Sequence, residues 1–313
     1  MRNDVGHYRG DEMSGLTRIG GIAAIVVGLL VAVPASAQDP DEVEIRVEDL
    51  GSGIYAIYAA GGAIGLSVGE DGIYLIDDQY APLSERLMET IAGISDQPIR
   101  YLLNTHWHGD HTGGNEAFGA TGSVIISHDN VRLRMENGLE EDWFGRVVEP
   151  ASDGALPVIT VSEDATFHFN GQEVRLIHSP AAHTDGDMIV HFVEANVLHM
   201  GDTFFNGNYP YVDVISGGST DGMIDALALG LSLSDEETAI IAGHGPLGTR
   251  ADLQAAHDML VDVRRRVQYS IVEGMTEDEA VATNMLDSHN EDWDWRFITA
   301  ERMIRLTYQS LTD

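Results

Sequence analysis

NTHWHGDHTGGN, residues 104–115, is the stretch that decides the fold. It places His106, His108, Asp110 and His111 within six consecutive positions. Imidazoles and carboxylates held this close lose hydration, and the like charges among them repel, unless a cation binds them. The preceding run IRYLLNT, 99–105, reads as a buried strand that delivers the chain into the cluster. His106 and His108 are two apart, so in an extended segment both face one side. Gly109, Gly113 and Gly114 permit a tight turn, and the residues after it can open a helix. A strand end leading into such a loop is a sound platform for a metal.

Other donors stand in similar places. His183 lies in SPAAHTDGD after VRLIHS, Asp202 in HMGDTFF after NVLHM, and His244 in AGHGP after TAIIA. That makes seven candidate nitrogen and oxygen donors, three of them just past separate strand-like runs. The chain has no Cys, which removes thiolate ligands, disulfides and a thiol nucleophile. All 17 basic residues are Arg, so Schiff-base lysines, P-loop lysines and Ser–Lys pairs are excluded as well.

The 313 residues carry 51 acidic and 17 basic side chains, for a net charge of −34. Such a surface suits high salt and repels phosphates and anionic lipids. The expected partner is a small molecule, with no nucleic acid. Arg18 is followed by IGGIAAIVVGLLVAVPASA, 19–37, which closes on the small-x-small site Ala35-Ser36-Ala37. Residues 1–37 therefore read as a signal peptide, with a mature chain from near Gln38 in the periplasm or outside the cell, free of the membrane after cleavage. The stretch before Met13 is polar and acidic, so Met13 competes with Met1 as the start. An uncleaved anchor is the alternative, since the run approaches bilayer length.

From 38 to 313 the chain reads as one domain. GIYAIYAA, AIGLSVGE and GIYLIDD are short β-rich runs between Gly and Asp turns. Helical spacing follows at 82–94, a strand at 123–128, a helix at 128–138 and a long loop at 139–157. Strands are expected near 158–161, 165–169, 173–178, 188–194, 196–200 and 238–243. Helices are expected at 221–233, 249–273, 276–285 and 295–311. Two β-rich halves with helices outside predict an α/β (α+β) four-layer αβ/βα sandwich.

HWHGDH, with His183, Asp202 and His244 following in order, resembles the metallo-β-lactamase superfamily of binuclear metallohydrolases. The resemblance spans about residues 50–250. It implies two zinc ions: His106, His108 and His183 on one, and Asp110, His111 and His244 on the other, with Asp202 on or bridging the second side. The second site, lacking a thiolate, is hard enough to accept Mn, Fe or Ca. Asp110 is the implied catalytic residue, orienting a water that the two ions ionise near neutral pH. Asp77 is the implied carboxylate behind the ligands. The other histidines are expected to be packing or surface residues, and Trp107 is expected to point into the sandwich.

Within the superfamily the reading favours opening of a β-lactam ring by an exported enzyme, with AAGGAIG, 59–65, and the 139–157 loop flanking an open cleft. Lactones, thioesters and phosphodiesters are the alternatives. Asp202 is shared with thioesterase- and lactonase-like members, whereas β-lactamases carry Cys or no ligand there. Phe205 stands where many lactamases have Lys. Asn206, Asn208, Tyr209 and Tyr211 are the candidate substrate contacts. A non-catalytic metal-binding relative and a periplasmic accessory protein of a redox pathway are the readings from other classes. A nuclease is disfavoured by the absence of a basic stripe.

Overall fold

The computed structural model describes residues 39–312, so the expected signal peptide lies outside the described residues. Among the described residues no helix is long and apolar enough to cross a membrane. Alternation organises the first sheet: along Gly72–Ile76 the side chains of Tyr74 and Ile76 face one way, and those of Ile73 and Leu75 the other. Both faces are buried, so both must be covered.

The strands of that sheet are β1 (Arg46–Gly51), β2 (Ile54–Tyr58), β3 (Ile64–Gly69), β4 (Gly72–Ile76), β5 (Ile99–Leu103), β6 (Val124–His128) and β7 (Ile159–Val161), in sequential spatial order. The first four pair antiparallel and the last four parallel. The second sheet holds β8 (Ala165–Phe169), β9 (Gln172–Ser179), β10 (Asp187–Phe192), β11 (Val197–His199) and β12 (Ala239–Ile241), in the reverse spatial order. Its strands pair antiparallel except for β11 and β12.

The helices are α1 (Ser84–Ile94), α2 (Gly109–Thr112), α3 (Asn115–Ala120), α4 (Asp129–Asn137), α5 (Thr220–Leu233), α6 (Arg250–Val272), α7 (Glu277–Ala282), α8 (Asn290–Trp293) and α9 (Ala300–Thr312). Between the sheets, Ile54, Tyr74, Ile76 and Leu103 meet Leu176, Met188, Val190 and Phe192. On the outer face of the first sheet, Ile64, Leu66 and Leu75 pack on Leu87, Ile91 and Phe118. On the outer face of the second, Ile189, Leu198 and Ile240 pack on α5, α6 and α9 through Met223, Leu253, Leu260 and Ile304. These are the four layers that the element order predicts.

Two local expectations change. The helix expected from 295 starts at Ala300, because Trp295 and Phe297 pack on the core from a stretch, 294 to 299, that runs without helix. Trp107 does not enter the sandwich. It packs with Val131 and Met135 of α4 and Leu156 of the following loop.

Candidate metal centre

The loops after β4, β5, β9, β11 and β12 leave the C-terminal ends of their strands along one edge of the sandwich, and each carries a predicted donor or its support. His106, His108, His183 and Asp202 bring one donor atom each within 4.8 Å of one another; Asp110, His111 and His244 do the same beside them. All seven predicted ligands are thus brought together. Asp202 faces both groups: its Oδ2 is 3.5 Å from His183 Nε2, 3.8 Å from His106 Nε2 and 3.4 Å from His244 Nε2. Its Oδ1 is 3.1 Å from His111 Nε2. Asp202 thus stands within 4 Å of donors of both groups.

The far side of each ring is held. His111 Nδ1 donates to Asp77 Oδ2 over 2.8 Å. The same carboxylate accepts from Thr105 Oγ1 at 2.7 Å and from the Thr105 amide at 2.7 Å. Thr105 Oγ1 in turn lies 3.0 Å from His106 Nδ1. Asp77 therefore stands where the resemblance puts it, steering one ring directly and another through Thr105. His183 Nδ1 donates to the Tyr211 carbonyl at 2.7 Å, and His108 Nε2 meets Asp213 Oδ2 at 2.9 Å. His244 is stacked on Phe205, with centroids 5.2 Å apart. Two glycines let the backbone close on the centre. A Cβ on Gly62 would stand 2.0 Å from His111 Cε1, and one on Gly243 2.0 Å from Asp202 Oδ1.

Charge is divided unevenly. Burial, aided by neighbouring imidazoles, keeps His106 well below the ordinary histidine range, and burial lowers His183 to about 4. At His111 and His244 the pull of burial is overcome by Asp202 and Asp110. His111 is raised well above its usual value and His244 to about 10. The two carboxylates are correspondingly held low against burial by His111 and His244.

The donor set fits divalent ions. His106 Nε2, His111 Nε2 and Asp202 Oδ1 are buried without a hydrogen-bond partner, although the last two are close. Buried polar atoms are normally satisfied, and a shared cation would satisfy all three. Nitrogen and oxygen donors without sulfur suit zinc at the His-rich group and zinc or a harder ion beside it.

A model of the metallo-beta-lactamase superfamily matches residues 65–262. The chain belongs to this superfamily. It is 28% identical over 210 residues to a hydroxyacylglutathione hydrolase of Rhodospirillum rubrum, a match covering 64% of this chain and 73% of that protein. It is 27% identical over 143 residues to the 2,4-dinitroanisole O-demethylase subunit alpha of Nocardioides sp. (strain JS1661), covering 44% and 40%. Against an atrochrysone carboxyl ACP thioesterase of Aspergillus fumigatus it is 30% identical over 134 residues, covering 42% and 26%. The chain thus spans less than half the length of these last two relatives. Among solved structures, a metallo-beta-lactamase from Pontibacter korlensis superposes with TM-score 0.58 at 19% identity, over 70% of this chain and all of that one. A sec-alkylsulfatase from Pseudomonas sp. gives 0.66 at 16%, over 85% of this chain and 50% of that one. These likenesses show the fold.

The expected substrate contacts fare differently from the ligands. Tyr209 is fully buried, its hydroxyl 3.4 Å from Asn290 Oδ1. Asn206 ties its loop to the carbonyls of Pro246 and Leu247, and Asn208 bonds back to the Asn206 carbonyl at 3.4 Å. The bonds these three side chains make run to α8, to the 246–247 carbonyls and to the loop itself, not to the donor groups. Tyr211 does reach the centre, its ring stacked 5.8 Å from that of His108. Asp213 and Thr105 were missed by the reading of the sequence. Thr105 adjoins the motif and could have been suspected, whereas no local spacing marks Asp213.

Proposed function

We propose that the chain hydrolyses acyl esters and thioesters, with its seven donors holding two ions of the zinc class. Asp202 carries this reading, because one carboxylate lies 3.5 Å from a donor of the first group and 3.4 Å from a donor of the second. An aspartate at this point is the pattern of thioesterase- and lactonase-like members. The similarity to a hydroxyacylglutathione hydrolase over 73% of that protein supports the same class. β-Lactam opening ranks below it: Phe205 takes the place of the lysine that would hold the substrate carboxylate, and its ring is spent on His244.

When bound, such ions supply a water ionised near neutral pH and an electrophilic contact for the acyl oxygen. The chain does the rest. His106, His108 and His183 offer three imidazoles and leave room for a further ligand. Asp110, with a fifth of its side chain exposed and Oδ2 3.3 Å from His244 Nε2, orients the attacking water. Asp77, Thr105 and Asp213 fix the rings, so that little reorganisation accompanies reaction.

The test is kcat/KM of zinc-loaded protein for simple esters and thioesters, set against imipenem and ampicillin. A value above about 10⁴ M⁻¹s⁻¹ for an ester or thioester, abolished by chelator, is expected. That value for a β-lactam, with esters and thioesters orders of magnitude slower, overturns the proposal.

A further inference from the structure

Three of the donors reach solvent. His108, Asp110 and His244 are 19%, 20% and 20% exposed in their side chains, whereas His106, His111 and His183 are sealed. Those three residues mark the accessible side of the centre. On one side of that opening stands the 59–63 turn. Its Gly61 is so near that a Cβ would lie 2.7 Å from Asp110 Cβ and 3.0 Å from the Tyr80 ring.

The other side is aromatic. Tyr211 stacks on His108; Phe297 lies 5.7 Å from Tyr211; Trp295 lies 5.5 Å from Phe297 and 6.1 Å from His244. The rings form an arch from an imidazole of one donor group to an imidazole of the other. Phe144 thickens it, 5.3 Å from Tyr211 and 4.9 Å from Phe297. Phe144, Trp295 and Phe297 are only half-buried. Their positions are nonetheless fixed. Trp295 Nε1 donates to the Tyr209 carbonyl at 2.9 Å, and Arg302 binds the Phe297 carbonyl. Trp295 and Phe297 also lie beyond residue 262, where the superfamily match ends. Tyr211 and Phe144 lie within the matched segment, so the wall joins residues from inside and beyond it.

The charge around the arch selects further. Segments 139–148 and 290–298, which carry Phe144, Trp295 and Phe297, hold six carboxylates and two arginines. One of those arginines, Arg146, is paired with Asp142 at 2.7 Å. A multiply anionic carrier approaching this rim meets local repulsion on top of a net charge of −34.

We infer that the arch from Tyr211 to Trp295 is the subsite for an aromatic acyl group, presented as an ester or thioester of an uncharged alcohol or thiol. This rests on the acyl-hydrolase reading above. In the step, water adds to the acyl carbon, the carbon–sulfur or carbon–oxygen bond breaks, and the leaving group departs as thiol or alcohol with one of the water protons. The product acid is anionic beside an acidic rim, which favours its release.

The experiment uses zinc-loaded protein and four substrates: the benzoyl and acetyl thioesters of N-acetylcysteamine, benzoyl-CoA and ampicillin. The neutral benzoyl thioester is expected to exceed benzoyl-CoA in kcat/KM by about tenfold or more at low salt, with the gap narrowing as salt screens the rim. Trp295→Leu and Phe297→Leu are each expected to lower the benzoyl-to-acetyl ratio by about tenfold. Zinc content and far-UV circular dichroism establish that the variants are folded, and Phe144→Leu, on a separate loop, carries the test if the C-terminal variants fail to fold. Equal turnover of benzoyl-CoA and the neutral thioester overturns the inference and leaves the acyl-hydrolase reading standing. So does an unchanged benzoyl-to-acetyl ratio in folded variants. Turnover of ampicillin alone overturns the underlying reading, and the inference with it.

Discussion

Asp213 Oδ2 lies 2.9 Å from His108 Nε2, while the other nitrogen of that ring lies 2.9 Å from His183 Nε2. The imidazole is strung between a buried carboxylate and the donor group. Asp213 is itself kept ionised, because its bonds to His108 and Ser216 overcome the effect of burial. A carboxylate in this position fixes the tautomer that turns Nδ1 toward the ion, and it makes the ring a better donor. Asp213→Ala is expected to weaken the His-rich site by about 10- to 100-fold. Cobalt titration followed by visible absorption reads this directly: one of two binding phases should weaken and the other persist. Two unchanged phases would show that Asp213 plays no part in positioning His108.

Protons compete with ions at the second group. Asp202 and Asp110 raise His244 to about 10. Without an ion this ring therefore carries a proton at neutral pH, and an ion that takes its lone pair must release that proton. Affinity consequently rises with pH up to that value, by about tenfold per unit for each proton released. Calorimetric zinc titrations in buffers of different ionisation enthalpy count the protons. At least one per chain is expected near pH 7. Asp202→Asn removes part of the attraction, so fewer protons should be released while affinity drops.

Much of this centre was legible because its chemistry is local. Four donors crowd residues 106–111, and the three others follow apolar runs whose ends any strand assignment would mark. The layers were legible for the same reason, since β4 and β10 are short, largely apolar runs, a local pattern. Asp213 and the aromatic arch depend instead on contacts between segments far apart in sequence, such as His108 with Asp213 and Phe144 with Phe297. No periodicity encodes those.

Between the sheets, Tyr74 is fully buried among Tyr101, Phe167 and Phe169, and its hydroxyl has no hydrogen-bond partner. An unpaired buried hydroxyl costs about 1–3 kcal/mol. Tyr74→Phe keeps the ring and removes that cost, so the urea midpoint should rise by an amount equivalent to about 1 kcal/mol. Phe167→Ala, in the same cluster, should lower it by about 3 kcal/mol. A lower midpoint for Tyr74→Phe would mean that the hydroxyl has found a partner.

Gly243 gives the sharpest link between backbone and metal. Its amide donates to the carbonyls of Gly201 at 2.8 Å and Phe204 at 3.1 Å, which draws the β12 end against the loop that carries Asp202. A Cβ there would stand 2.0 Å from Asp202 Oδ1 and 2.6 Å from the Gly201 carbonyl. Neither can yield cheaply: one is backbone, and the other is a carboxylate that faces both donor groups. Gly243→Ala should therefore push Asp202 off its position, costing about 1–3 kcal/mol of stability through overpacking. It should also reduce zinc retained after dialysis from two equivalents toward one or none. Zinc analysis alongside urea denaturation separates the two effects. A variant that loses stability yet retains full zinc would mean that the loop shifts as a unit, carrying Asp202 with it.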